Sequence, residues 1–255
     1  MARQTMYNLP AVFIGSTVFF MRGIFKISAF ALSFGVLSSA AFAEVAMQNG
    51  TGTFSQTFDQ PWLASEIIDG NSTPNNGWAI FRPGTGTLAE TAVFETVTDL
   101  TAPALSIDMI HTHANQGHMS GRFRWSYTTD NRNDFADGLQ TNGDVTANWT
   151  VMTPTSVTAP SGMTPTILGD GSVRMAGNSG VGNYNLLFGS AVSGVTGFRL
   201  EMLEDSLLPS NGPGLFPTNG NFVLNEVDVQ VVPEPATMIA LGVGALLAAR
   251  RRNRR

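Results

Sequence analysis

Gly121-Arg122-Phe123-Arg124-Trp125-Ser126-Tyr127-Thr128 alternates ring and polar group with a period of two. In an extended chain successive side chains point to opposite faces, so Phe123, Trp125 and Tyr127 share one face and Arg122, Arg124 and Ser126 the other. This is the pattern of a strand with one face in a core. Working outward, short apolar or β-branched runs recur between Gly-, Pro-, Asn- and Asp-rich turns, at 51–57, 78–81, 92–97, 104–110, 147–152, 164–168, 173–176, 184–188, 197–202 and 222–232. In the last, Val223, Val227, Val229 and Val231 fall on one side, with Asn225 as a polar exception. Such spacing predicts an all-β fold, a single β-sandwich, over residues 44–232. The segment 130–144, rich in Asn, Asp and Gly, reads as a long loop, suited to binding or to exposed connection.

Composition agrees and narrows the class. Charged residues are only 13% of the 255, and cysteine is absent, so neither disulfides nor thiol catalysis enter. All 19 acidic residues lie between Glu44 and Glu234, against six arginines and no lysine there, a net near −13. Such a surface repels nucleic acid and suits a solvated extracellular module.

Both ends read as addresses. Residues 21–43, MRGIFKISAFALSFGVLSSAAFA, have a basic start at Arg22 and Lys26, an apolar stretch and a small-x-small site at Ala41-Phe42-Ala43. These are the parts of a secretory signal peptide, with Met21 as the natural start and cleavage after Ala43 exposing Glu44. Residues 231–255, VVPEPATMIALGVGALLAARRRNRR, place Pro233-Glu234-Pro235 before an apolar run at 236–249 and an arginine-rich tail at 250–255. As a helix the run would rise about 21 Å and cross a membrane with interfacial help, its arginines on the cytoplasmic side. This three-part order resembles the PEP-CTERM sorting signal. The resemblance implies export through the Sec translocon, a transient membrane anchor, and recognition by an exosortase with Pro233, Glu234 and Pro235 as substrate residues. Delivery to the cell surface or the extracellular matrix would follow.

The middle carries further phrases: Ile68-Asp69-Gly70 with Gly77-Trp78-Ala79-Ile80; Ala92-Val93-Phe94-Glu95; His118 leading into Gly121-Arg122-Phe123-Arg124; Asp170-Gly171-Ser172-Val173; Gly197-Phe198-Arg199-Leu200-Glu201 with Leu207-Leu208-Pro209 and Gly212-Pro213-Gly214; and Gly220-Asn221-Phe222-Val223-Leu224. Together they resemble a galactose-binding-like jelly-roll module of planctomycete surface proteins. What the resemblance implies is chiefly a fold.

Three constellations bear on function. His111, His113 and His118 lie within eight residues; His111 and His113, two apart, would share a strand face as metal ligands do, but neither cysteine nor a nearby carboxylate joins them, which favours a structural role. Calcium is the better metal, with Asp69, Asn71, Asp99, Glu226 and Asp228 as hard donors near strand ends; no motif fixes its ligands, so no metal ligand is assigned. For sugar binding, Trp62, after Pro61 and outside a clear strand, is the expected exposed ring. The acidic cluster Glu201-Met202-Leu203-Glu204-Asp205 reads as structural. No nucleophile elbow, phosphate loop or zinc-protease motif is present, so no catalytic residue is named. The sequence thus points to a non-catalytic exported surface or matrix protein binding carbohydrate or exopolysaccharide. A polysaccharide hydrolase, which needs two carboxylates facing one cleft, and a coat protein joined by strand edges are the alternatives.

Overall fold

The computed structural model describes residues 42–177 and 180–233. The chain forms twelve strands: β1 (Ala43–Glu44), β2 (Met47–Gly52), β3 (Glu90–Ala102), β4 (Leu105–His111), β5 (Arg122–Thr128), β6 (Thr150–Met152), β7 (Ser156–Thr158), β8 (Met163–Ile167), β9 (Val173–Gly177), β10 (Gly182–Phe188), β11 (Val192–Met202) and β12 (Glu226–Val231). They make a five-stranded sheet in the order β1-β12-β4-β10-β7 and a seven-stranded sheet in the order β2-β3-β11-β5-β9-β8, with β6 also paired to β5. The all-β sandwich expected from the alternation is what forms. Neighbours within a sheet are rarely neighbours in sequence, so non-local pairing dominates.

The face assignment of the 121–128 stretch holds. Phe123 and Trp125 are buried between the sheets, where Phe123 stacks on Tyr184 of β10 at 5.9 Å, while Arg122 and Arg124 remain partly exposed outside. Trp78, Phe94, Ile107, Met109, Phe198 and Phe222 complete the same core. On the outer face Arg124 grips Glu201 through Nε and Nη2, and Arg122 and Arg174 both face Asp205. The acidic cluster at 201–205 is thus a set of sheet-face ion pairs.

The 130–144 loop opens with a short 3-10 turn, Arg132–Asp134, and folds back over the outer face of the seven-stranded sheet. Phe135 reaches Gly197, where a Cβ would lie 2.5 Å from the ring, and packs with Val93 and Trp149. Leu139 and Thr53 further tie this loop to β2 and its continuation through Gly52 N–H and Asn142 N–H. Both edges of that sheet are therefore blunted: β2 by the loop, β8 by Pro165 at its centre.

The strand expected at 222–232 is shorter. Regular pairing starts at Glu226, because Asn225 turns its fully buried amide onto neighbouring backbone: Oδ1 accepts from Thr112 N–H at 2.7 Å, and Nδ2 donates to Thr73 O and Asn76 O. The polar exception in the alternation is a buried clamp on the 71–77 loop. The expected strand at 78–81 reduces to a single bridge between Trp78 and Leu224.

Of the expected cleavage-site residues, Ala43 and Glu44 form β1, opposite Val231 and Gln230, and Ala41 lies outside the described residues. So do Glu234, Pro235, the apolar run at 236–249 expected as a helix, and the arginine tail; Pro233 stands two residues past the end of β12. Among the described residues no helix is long and apolar enough to cross a membrane.

Candidate functional site

At the end of the sandwich where β4 finishes and β5 begins, four loops enclose a pocket of about 190 Å³. The turn 56–62 supplies Phe58, Asp59 and Trp62, and Phe81 stands opposite. The β4–β5 connection contributes His113, Asn115 and His118, and the chain before β12 adds Asn219 and Asn221. Local bonds fix these segments to one another. Gln56 and Trp62 close the first turn as a bridge, Gln56 N–H donates to Ala79 O, and Val223 N–H donates to His118 O.

Phe58 is 56% exposed and meets Phe81 edge-on at 5.9 Å, which gives the pocket an aromatic wall open to solvent. Trp62 corrects the sequence expectation: its ring is only 4% exposed, packed with Ala79 and Val223. Its indole N–H nevertheless finds no hydrogen-bond partner among the described residues. Asp59 is the neighbouring carboxylate. Burial raises its pKa, but hydrogen bonds from the Gln56 side chain and the Gln60 backbone outweigh that, with a last small contribution from the Trp62 indole, and hold it below the usual range. The indole thus lies within electrostatic reach of Asp59 without bonding geometry. An anionic acceptor and several amides beside an exposed ring make a surface suited to a polyhydroxylated ligand.

The histidines diverge because β4 ends at His111. Inside the strand His111 points into the core, with Ser120 N–H donating to Nε2 at 3.2 Å and Ser120 Oγ at 2.9 Å from the same atom; Nδ1–H faces Gly182 O at 3.3 Å. This serine–histidine pair is wholly buried and reaches no substrate. Burial depresses His111 to about 4. Past the strand end the two-residue alternation stops, so His113 turns instead to the pocket and meets His118.

The calcium donors separate into groups. Asp69, Asn71 and Glu226 converge, whereas Asp99 is an exposed partner of Arg132 and Asp228 lies beside Asp108 and Glu44. At the convergence, Asn76 Nδ2 faces four oxygens: Asn71 O at 2.7 Å, Glu66 O at 2.9 Å and both Asp69 carboxylate oxygens at 3.1 and 3.3 Å. Two N–H bonds cannot satisfy four acceptors. Glu226 adds a buried carboxylate that accepts Asn71 N–H at 2.9 Å; burial first, and the Asp69 charge second, push it up to about 7. Excess oxygen donors and a carboxylate lacking a cation fit a hard metal ion such as calcium. Among the described residues no three His, Cys, Asp or Glu side chains cluster as metal ligands, so such an ion would lean on backbone carbonyls.

Sequence reasoning missed Phe58, Phe81 and the two asparagines. The one available signal was an aromatic residue inside the polar turn Gln56-Thr57-Phe58-Asp59-Gln60, where alternation gives it no core to enter.

With this geometry in view, the comparisons with known proteins are these. The PEP-CTERM protein-sorting motif matches residues 231–255. No curated protein matches the chain. Among solved structures, the chain is similar to a family 32 carbohydrate-binding module from Clostridium perfringens in complex with galactose, at 12% identity over 74% of this chain and 99% of that one, TM-score 0.45. It is similar to a chitosan-binding module from a chitosanase/glucanase of Paenibacillus sp. IK-5, at 12% identity over 72% and 95%, TM-score 0.42. An F5/8 type C domain from Bacteroides fragilis is similar at 10% identity over 76% and 99%, TM-score 0.46.

Proposed function

We propose that residues 44–232 form a non-catalytic carbohydrate-binding module of an exported protein, carried by a removable signal peptide and sorted by its C-terminal motif through an exosortase to the cell surface or matrix. The observation that carries the binding reading is the exposed Phe58 ring, set edge-on to Phe81 at the rim of a pocket that is also lined by Asp59 and several side-chain amides. A pyranose bound there would stack an apolar face on Phe58, while Asp59 and the pocket amides take its hydroxyls. Trp62, buried against Ala79 and Val223, would back the wall of the pocket and is not an exposed platform.

The alternatives find less support. Asp59 is the pocket's single carboxylate, whereas glycoside hydrolysis generally uses two. Assembly as a coat through the edges of the seven-stranded sheet is opposed by the covered β2 and the proline in β8. A structural calcium, held by Asp69, Glu226 and the carbonyls of Glu66 and Asn71, would neutralise the buried Glu226 and the exposed Asp69 and fix the 66–77 loop.

A glycan array and a polysaccharide pull-down, each run with calcium and with a chelator, test this. Saturable binding of a neutral glycan is expected, weakened by chelation. A folded sample that binds no glycan in either condition removes the carbohydrate reading.

A further inference from the structure

The pocket also holds an arrangement that sugar binding does not require. His113 and His118 stand with ring centroids 5.0 Å apart and planes 86° apart. Each spends Nδ1 on a main-chain oxygen: His113 on Pro74 O at 3.1 Å, His118 on Asn115 O at 2.9 Å. A carbonyl oxygen only accepts, so Nδ1 carries the proton in both neutral rings and each Nε2 keeps a free lone pair. Neither Nε2 has a hydrogen-bond partner among the described residues. A backbone carbonyl fixing one ring nitrogen so that the other can bind metal is the usual support of a metal-ligating histidine.

Both rings are also held in place. His118 stacks on Phe216 at 3.8 Å and 16°, and the Trp62 ring meets His113 edge-on at 5.1 Å. A metal at about 2.1 Å from each Nε2 would stand about 3.2 Å from each ring centre. Centroids 5.0 Å apart lie within the span that a single ion so placed could bridge.

We propose that His113 and His118 form a two-imidazole site for a late first-row divalent cation of the zinc or nickel kind, with water in the remaining positions. No third His, Cys, Asp or Glu joins them among the described residues, so the site is open and its affinity moderate. It is distinct from the oxygen-rich place at Asp69 and Glu226, which suits calcium. The proposal does not depend on carbohydrate binding.

The test uses metal alone on the full chain prepared without a histidine tag. Calorimetric titration with zinc chloride and nickel chloride, with calcium present in excess, is expected to give one site per chain. His113→Ala is expected to weaken it on the order of tenfold or more while leaving the melting temperature unchanged, since His113 is partly exposed on a loop. His118→Gln is expected to weaken it to a like degree, with a lowered melting temperature because His118 is buried against Phe216. Long-range proton–nitrogen spectra of the rings give the second readout: zinc should shift Nε2 of both histidines and leave both Nδ1 protonated. Absence of zinc and nickel binding, a site that survives both substitutions, or a shift confined to one ring would overturn the proposal, whatever the glycan array shows.

Discussion

Single residues set the chemistry of the pocket and the pH response of the core. Phe58 has no role in the core, so Phe58→Ala should weaken glycan binding about tenfold without lowering the melting temperature. Trp62→Phe, which removes part of a buried ring packed on Ala79, Val223 and His113, should lower the melting temperature by several degrees, and an unchanged melting temperature would show that this packing carries no stability. His111 behaves oppositely to a surface histidine. Its pKa falls from 6.5 in the unfolded chain to about 4 in the fold, so the unfolded state binds the extra proton between those values. Its contribution is complete above pH 6.5 and is lost as pH falls to 4, about 3 kcal/mol in all. Urea unfolding between pH 7 and 4 should show this slope, reduced in His111→Gln; an equal slope in the variant would assign the effect elsewhere.

Elements decide how loops and edges behave. The 66–77 loop is pinned to β12 through Glu226 and, through Asn225, to the end of β4. Glu226 rises from 4.5 in the unfolded chain to about 7 in the fold, so its protonated form favours folding and that advantage is lost as pH rises through 7, about 3 kcal/mol in all. Calcium should reverse the loss. Melting temperatures at pH 8 should rise with calcium and fall with chelator, and Glu226→Gln should abolish both the pH effect and the calcium effect. At the other sheet, Pro165→Val would restore a donor to the centre of edge strand β8; light scattering should detect self-association that the parent chain lacks, and a variant that stays monomeric would mean β8 is protected by something else.

At the scale of the whole molecule, legibility in the sequence followed locality. Alternation inside one strand was readable, so Phe123 and Trp125 went to the core and Arg122 and Arg124 outside as expected. The same rule misled at His111 and His113, because the strand ends between them and the rule has no force beyond it. Trp62 looked exposed because it follows proline in a turn; the segments that cover it, around Ala79 and Val223, lie far along the chain and join it only through non-local bridges. Of the expected oxygen donors, Asp69, Asn71 and Glu226 come together, and only the fold separates them from Asp99 and Asp228.

The direction of β12 has a bearing on how the chain meets its surroundings. The strand starts beside Val223 at the pocket end and finishes at Val231 opposite Leu105, where Pro233 leads into the sorting segment. Six residues of strand span about 20 Å. Were the proposed sorting to hold the chain through the residues beyond Pro233, the pocket would stand a strand's length from that attachment, where a glycan from the surrounding medium would meet it before the surface that holds the protein.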